Sequence, residues 1–139
     1  MKHLWIMNLK SSILLFYYSP TSEKDRYKLN EYLISGLLST MNIFSEVELE
    51  GKGVESIDMA GLRWVYLKDV MNNLLLVAAD SKSANSDLMS ARLDVIKKMF
   101  VKTFDIDAHF WAKGPIEIGQ FEKFSITVQM VYDQWQVAE

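Results

Sequence analysis

The sequence contains no cysteine. Disulfides, thiolate nucleophiles, cysteine-ligated zinc and S-acylation are therefore excluded for these residues. Proline is scarce, with Pro20 and Pro115 the only two, and glycine is limited to six. No segment is low in complexity and no period of repeat-protein length recurs. Long hydrophobic runs are missing as well. The longest, Ile13–Tyr18 and Leu74–Ala79, have six residues each, whereas a membrane-spanning helix needs about 20. A basic excess is also lacking: 15 Lys and Arg stand against 18 Asp and Glu, a net charge of -3. That balance argues against a dedicated nucleic-acid binder. Arg26, Arg63 and Arg92 are the only arginines, and the aromatic residues are not interleaved with them. The opening residues, Met1-Lys2-His3-Leu4-Trp5, show neither an apolar signal core nor a small-residue cleavage site. The expected location is the cytoplasm, with at most a peripheral contact at the cytoplasmic face of a membrane.

Apolar residues make up 50% of the chain and charged ones 24%, the balance of a globular domain able to bury a sizeable core. Residues 1–139 are read as a single domain. His3–Leu9 and Ser12–Ser19 read as two strands joined by a tight turn at Lys10-Ser11. The second does not alternate apolar with polar residues, as in a sheet covered on both faces. Residues 23–48 switch to helical spacing, with Ser22 as N-cap and Leu29, Leu33, Gly36, Leu37, Thr40 and Phe44 on one face. Val54–Met59, Leu62–Lys68 and Asn73–Asp80 read as three further strands, the last lacking alternation and therefore central. A helix is expected over Ser86–Thr103, with Leu88, Ala91, Val95, Ile96, Met99 and Phe100 aligned. A final helix is expected from Pro115, with a stripe of Phe121, Phe124, Val128, Val131, Tyr132 and Trp135. The order β-β-α-β-β-β-α-α implies an α+β fold: a five-stranded antiparallel sheet with one helix on one face and two on the other.

Signatures of catalysis are scarce. His3 and His109 have no carboxylate or histidine partner at a defined spacing, which leaves them as surface or partly buried structural residues. Gly51-Lys52-Gly53 is too short for a phosphate-binding loop and reads as a turn. Asp105-Ile106-Asp107 offers too few oxygens for calcium and reads as a solvated loop at a helix end. No Gly-x-Ser-x-Gly elbow occurs. No catalytic residue, cofactor or metal ligand is assigned, and the chain is read as a non-enzyme. Lys97, Lys98 and Lys102 form a small basic helix face, read mainly as solvated.

These elements bear a resemblance to a known family. Leu4–Phe16 resembles the first hairpin of a longin domain, and Leu33–Phe44 resembles the longin first helix. Gly53–Met59 and Trp64-Val65-Tyr66 resemble its third and fourth strands. The match covers nearly the whole chain in element order. It implies a longin-like (profilin-like) fold and a role at internal membranes as a regulator or complex subunit linked to small GTPases. It also implies a homodimer or a heterodimer with a longin or roadblock-type protein. Two departures from the family pattern matter. The sequence shows no heptad coiled coil after the last helix and no carboxy-terminal cysteine for a lipid anchor, so a SNARE proper is not expected.

The apolar surface carries the candidate site. On the first helix, Ile34, Leu38 and Met41 extend the apolar arc well beyond the stripe that packing on a sheet requires. The third strand is expected at a sheet edge, with Glu55 and Asp58 as its only charges and no proline within it. The candidate protein interface is therefore Ile34, Leu38, Met41, Val54, Ser56, Ile57 and Asp58. Ile126, Met130 and Val137 form a second apolar flank, opposite the core stripe of the last helix. The alternative reading is a profilin- or PAS-like sensor domain that binds a small ligand in a pocket lined by Trp64, Tyr66 and Phe110.

Overall fold

A computed structural model describes residues 1–20, 37, 56–59 and 61–138. Its strands are β1 (His3–Asn8), β2 (Leu14–Tyr18), β3 (Ile57–Met59), β4 (Leu62–Asp69) and β5 (Leu74–Ser81). Its helices are α1 (Ser86–Thr103) and α2 (Phe124–Ala138), with short 3-10 turns at Phe110–Ala112 and Ile118–Phe121 between them. The strands form one five-stranded sheet in the order β2-β1-β5-β4-β3, and every pairing is antiparallel. The α+β class and the antiparallel sheet expected from the sequence are present.

Local chemistry explains where the strands end. In the β1–β2 turn, Asn8 Oδ1 accepts from the backbone N–H groups of Lys10 and Ser11 at 3.1 and 2.9 Å. A short polar side chain bonding its own turn in this way is what makes asparagine a strand terminator. Gly61, at φ +77, takes the left-handed conformation between β3 and β4 that a residue with a Cβ adopts reluctantly. Asn73 is also left-handed, at φ 57, just before β5. Its carbonyl accepts from Leu9 N–H at 2.9 Å and its Oδ1 from Lys10 N–H at 3.0 Å, so the two turns at this end of the sheet are tied together.

β5 lies at the centre of the sheet, and its first six residues, Leu74 to Ala79, are all buried. The side chains alternate between two cores. Leu74, Leu76 and Ala78 join Leu4, Ile6, Phe16 and Val65 beneath both described helices, packed on Met89, Leu93, Ile96 and Phe100 of α1 and Phe124, Val128 and Tyr132 of α2. Leu75, Val77 and Ala79 join Trp5, Met7 and Trp64 on the other face. Leu37, a helical residue of the expected first helix stripe, packs against this second cluster. The rest of the helix expected over residues 23–48, and the Gly51-Lys52-Gly53 turn, lie outside the described residues.

β2, read as belonging to a sheet covered on both faces, sends Leu15, Phe16 and Tyr18 to one cluster and Tyr17 to the other, and stands at an edge of the described sheet with Ile13 and Leu14 exposed. The register of β2 shifts against Ile6/Met7, and Leu15 and Phe16 consequently both enter the same core. The bulge adds to the unalternating pattern that coverage of both faces already allows. Three expectations are corrected. The buried face of α1 is Met89, Leu93, Ile96 and Phe100, whereas Leu88, Ala91 and Val95 are exposed. The sequence carries apolar residues at both sets of positions, and the sheet selects one. α2 begins at Phe124 rather than Pro115, because residues 115–123 form a loop with a 3-10 turn. Its stripe is nonetheless as read, with Phe121, Phe124, Val128, Val131 and Tyr132 buried and Trp135 half-buried. Finally, His3, read as a surface or partly buried residue, is completely buried.

The rotation of α1 gives a direct test. Leu93→Ala should cost about 2–5 kcal/mol in chemical denaturation, as large-to-small changes in packed cores do. Val95→Ala should stay within about 0.5 kcal/mol, as surface changes do. Equal losses at the two positions would place the helix face wrongly.

Candidate functional site

β3 stands at one end of the strand order and pairs, among the described residues, with β4 alone. Ile57 faces Trp64, Asp58 faces Arg63 and Met59 faces Leu62 across the hairpin. Alternation sends Met59 to the second face, where it packs, as Leu62, Tyr66 and Leu37 do, against the cluster that contains Trp64. The Trp64 indole N–H donates to the Met59 carbonyl at 2.8 Å. The indole therefore both fills the second core and holds the edge strand in place. Trp64 also stacks on Trp5 at 5.4 Å, and Trp5 stacks on His3 at 5.7 Å and lies 5.5 Å from Tyr17. The His3 Nδ1 and Tyr17 hydroxyl are 2.9 Å apart. This aromatic row makes the second face beside β1 and β4 stiff and specific in shape.

Of the expected interface residues, Ile34, Leu38, Met41 and Val54 lie outside the described residues. Ser56 is half-buried just before β3, Ile57 is half-buried within it and Asp58 is exposed. The charge on Asp58 is not left to guard the edge alone. Arg63 donates from Nε to Asp58 Oδ1 at 2.9 Å and from Nη2 to Oδ2 at 3.2 Å, a fork-on-carboxylate pair. The remaining Nη1 donates to the Ala84 carbonyl at 2.8 Å, linking the hairpin to the segment before α1. This arginine was missed from the sequence. The signal was present, since Asp58 and Arg63 become direct cross-strand neighbours once the β3–β4 turn is placed at Gly61.

The remaining candidates resolve into structural roles. Trp64 and Tyr66 belong to the second face and Phe110 packs against the first, so they do not line one pocket. Strand alternation puts the sheet between them. Asp105 is exposed and left-handed at φ 51, Ile106 is buried, and Asp107 Oδ1 accepts from the His109 N–H at 2.8 Å. Asp94 holds Lys98 at 2.8 Å and Lys97 at 3.6 Å, which offsets part of the basic face of α1. Ile126, Met130 and Val137 are exposed on α2 as expected. Among the described residues, no group of three His, Cys, Asp or Glu could hold a metal ion, and no helix is long and apolar enough to cross a membrane.

The electrostatics of the edge follow from the Arg63 pair. Its hydrogen bonds hold the Asp58 carboxyl below the ordinary aspartate value, and they hold the Arg63 guanidinium above its own. In comparisons with known proteins, no family model matches the chain, and no curated protein matches it.

The carboxyl titration of Asp58, followed by NMR, should have a midpoint below that of an ordinary aspartate. Arg63→Gln should return it upward. The pair's contribution should be complete above the ordinary aspartate range and fade as the pH falls through the lowered midpoint. A midpoint unmoved by Arg63→Gln would show that the pair does not persist in solution.

Proposed function

We propose that this chain is a non-catalytic protein-interaction module of longin-like type, a regulator or complex subunit in small-GTPase-linked membrane traffic. It works as a homodimer, or as a heterodimer with a longin or roadblock-type protein, through β3 and the helix over residues 23–48. The observation that carries the reading is the state of the β3 edge. A strand at a sheet edge presents backbone donors and acceptors to a partner unless it is blunted by proline, bulges or free charge. Here Ile57–Met59 contains no proline, and its single charge is neutralised in a bidentate pair with Arg63. The Trp64 indole fastens the same strand from behind, so a partner would meet an already ordered edge. Leu37 packs against the same second-face cluster as Met59 and Leu62, so one residue of the expected helix is on the face that this edge strand shares. Adding a strand there by a two-fold axis would extend the sheet and bring the two flanking surfaces together, the self-complementary arrangement of closed dimers. The element order read from the sequence, together with the strand order β2-β1-β5-β4-β3, supports the longin-like assignment.

Sedimentation velocity at tens of micromolar and capture of small GTPases in both nucleotide states test the reading. The wild-type chain should sediment as a dimer or retain a GTPase or longin-type partner. Ile57→Pro, which disrupts the short edge strand at its pairing with β4, should abolish that association while circular dichroism remains that of a folded protein. Asp58→Lys is the milder variant, adding a free positive charge at the edge, and should weaken association without unfolding the strand. A monomer that captures no partner, or an association indifferent to both variants, would refute the proposal.

A further inference from the structure

At the end of the sheet where β5 begins, the turn between β4 and β5 carries two large apolar side chains into solvent, Val70 at 78% and Met71 at 83% exposure. Turns ordinarily place Gly, Pro, Asn, Asp or Ser at such positions. Here those types, Asp69, Asn72 and Asn73, flank the tip and hold it from within. Asp69 accepts from the Asn72 backbone N–H at 3.2 Å and from its Nδ2 at 2.7 Å. The Asn72 carbonyl accepts from the Trp111 indole N–H at 2.7 Å. Asn73 accepts from the backbone N–H groups of Leu9 and Lys10, in the β1–β2 turn. The tip is thus fixed to two neighbouring segments, and its aspartate and asparagine side chains are already hydrogen-bonded. Ile13, 51% exposed, stands in the adjoining β1–β2 turn and shares a cavity wall with Trp111 and Gly114. Within residues 9–13, 69–73 and 111–116 the charged residues are Lys10, Lys113 and Asp69. Both lysines are exposed, whereas Asp69 is half-buried and turned to Asn72.

We propose that this end of the molecule docks on an anionic lipid surface, with Val70 and Met71 entering the boundary between headgroups and acyl chains and Ile13 lying beside them. Single exposed apolar residues are commonplace. Two in succession on a hydrogen-bonded tip, with a third in the adjoining turn, form a patch held outward. Exposure this high means that the two side chains project and do not line a groove, so they suit a soft surface better than a shaped pocket. Charge complementarity points the same way. Lys10 and Lys113 flank the tip and would meet negative headgroups within a Debye length of the surface. Because the turn is already ordered, docking costs it little conformational freedom. The contact is superficial, a tip resting in the interface rather than a span. It is separate from the β3 edge and does not depend on the reading of that edge.

The test is co-sedimentation of the whole chain with vesicles of phosphatidylcholine alone and of phosphatidylcholine mixed with phosphatidylserine. The wild-type chain should bind the mixed vesicles at least about threefold more tightly than the neutral ones. Val70→Ser combined with Met71→Ser should weaken that binding about tenfold or more, because two apolar side chains no longer leave water. The melting temperature should stay unchanged, since both side chains are exposed in the free protein. Lys10→Gln combined with Lys113→Gln should abolish the preference for the mixed vesicles. Ile126→Ser combined with Met130→Ser removes a comparably exposed apolar pair from α2 and should leave vesicle binding as it was. That contrast separates a docking tip from general apolar adhesion. No binding to the mixed vesicles, binding indifferent to Val70 and Met71, or equal losses from the two apolar pairs would overturn the proposal. Equal binding to neutral and mixed vesicles would overturn the anionic assignment. Self-association that the Val70 and Met71 variant removes, without vesicle binding, would replace the lipid surface with a second copy of the chain.

Discussion

The coverage of β5 is the constraint on which the rest of the structure depends. Six consecutive apolar residues in an extended strand cannot leave either face in water, because alternate side chains point to opposite sides. Leu74, Leu76 and Ala78 go beneath α1 and α2, while Leu75, Val77 and Ala79 go against Trp5 and Trp64. β1 is buried along its whole length and β4 is partly buried, which suits their positions as the flanking strands. Burying a side chain of this size is worth roughly 1.5–3 kcal/mol. The two-sided centre therefore dominates the stability of the described fold.

With the centre occupied in this way, chemistry is left to the edges and the ends. β3 is held by two different devices on its two sides, the Trp64 indole on one and the Arg63 guanidinium on the other. Both are built from β4, so the edge strand is ordered by its neighbour rather than by its own length of three residues. At the opposite edge, β2 is bulged, which distorts the ladder there and discourages a further strand. Among the described residues, β3 is the edge strand whose pairing carries no register shift. A cavity walled by Asp80, Arg92, Tyr132 and Trp135 lies at the end of β5.

Much of this is legible in the sequence. The five strands were readable to within a few residues because Asn8, Gly61 and Asn73 punctuate them with side chains and conformations that end strands. The stripe of α2 was readable because Phe124, Val128, Val131 and Tyr132 keep helical spacing with few apolar competitors on that face. The face of α1 was not, because Leu88 and Val95 sit one position from Met89 and Ile96 and only tertiary packing decides between them. The start of α2 was misplaced because Pro115 suits a first helical turn and equally suits a loop. Contacts remote in sequence were the least legible. Nothing local reveals that Phe110 lies across the sheet from Trp64, or that the Tyr132 hydroxyl is buried without a hydrogen-bond partner among the described residues. Of the candidate interface, Ser56, Ile57 and Asp58 could be compared with the fold, and Arg63 emerged as the partner of Asp58.

Native-state amide hydrogen exchange on dilute protein tests the hierarchy of centre and edge most directly. Amides of Leu74–Ala79 should exchange only through global unfolding, and those of Ile57–Met59 at least about a hundredfold faster through local opening. Protection at Ile57–Met59 equal to that of Leu74–Ala79 would contradict an open β3 edge on a β5-centred fold.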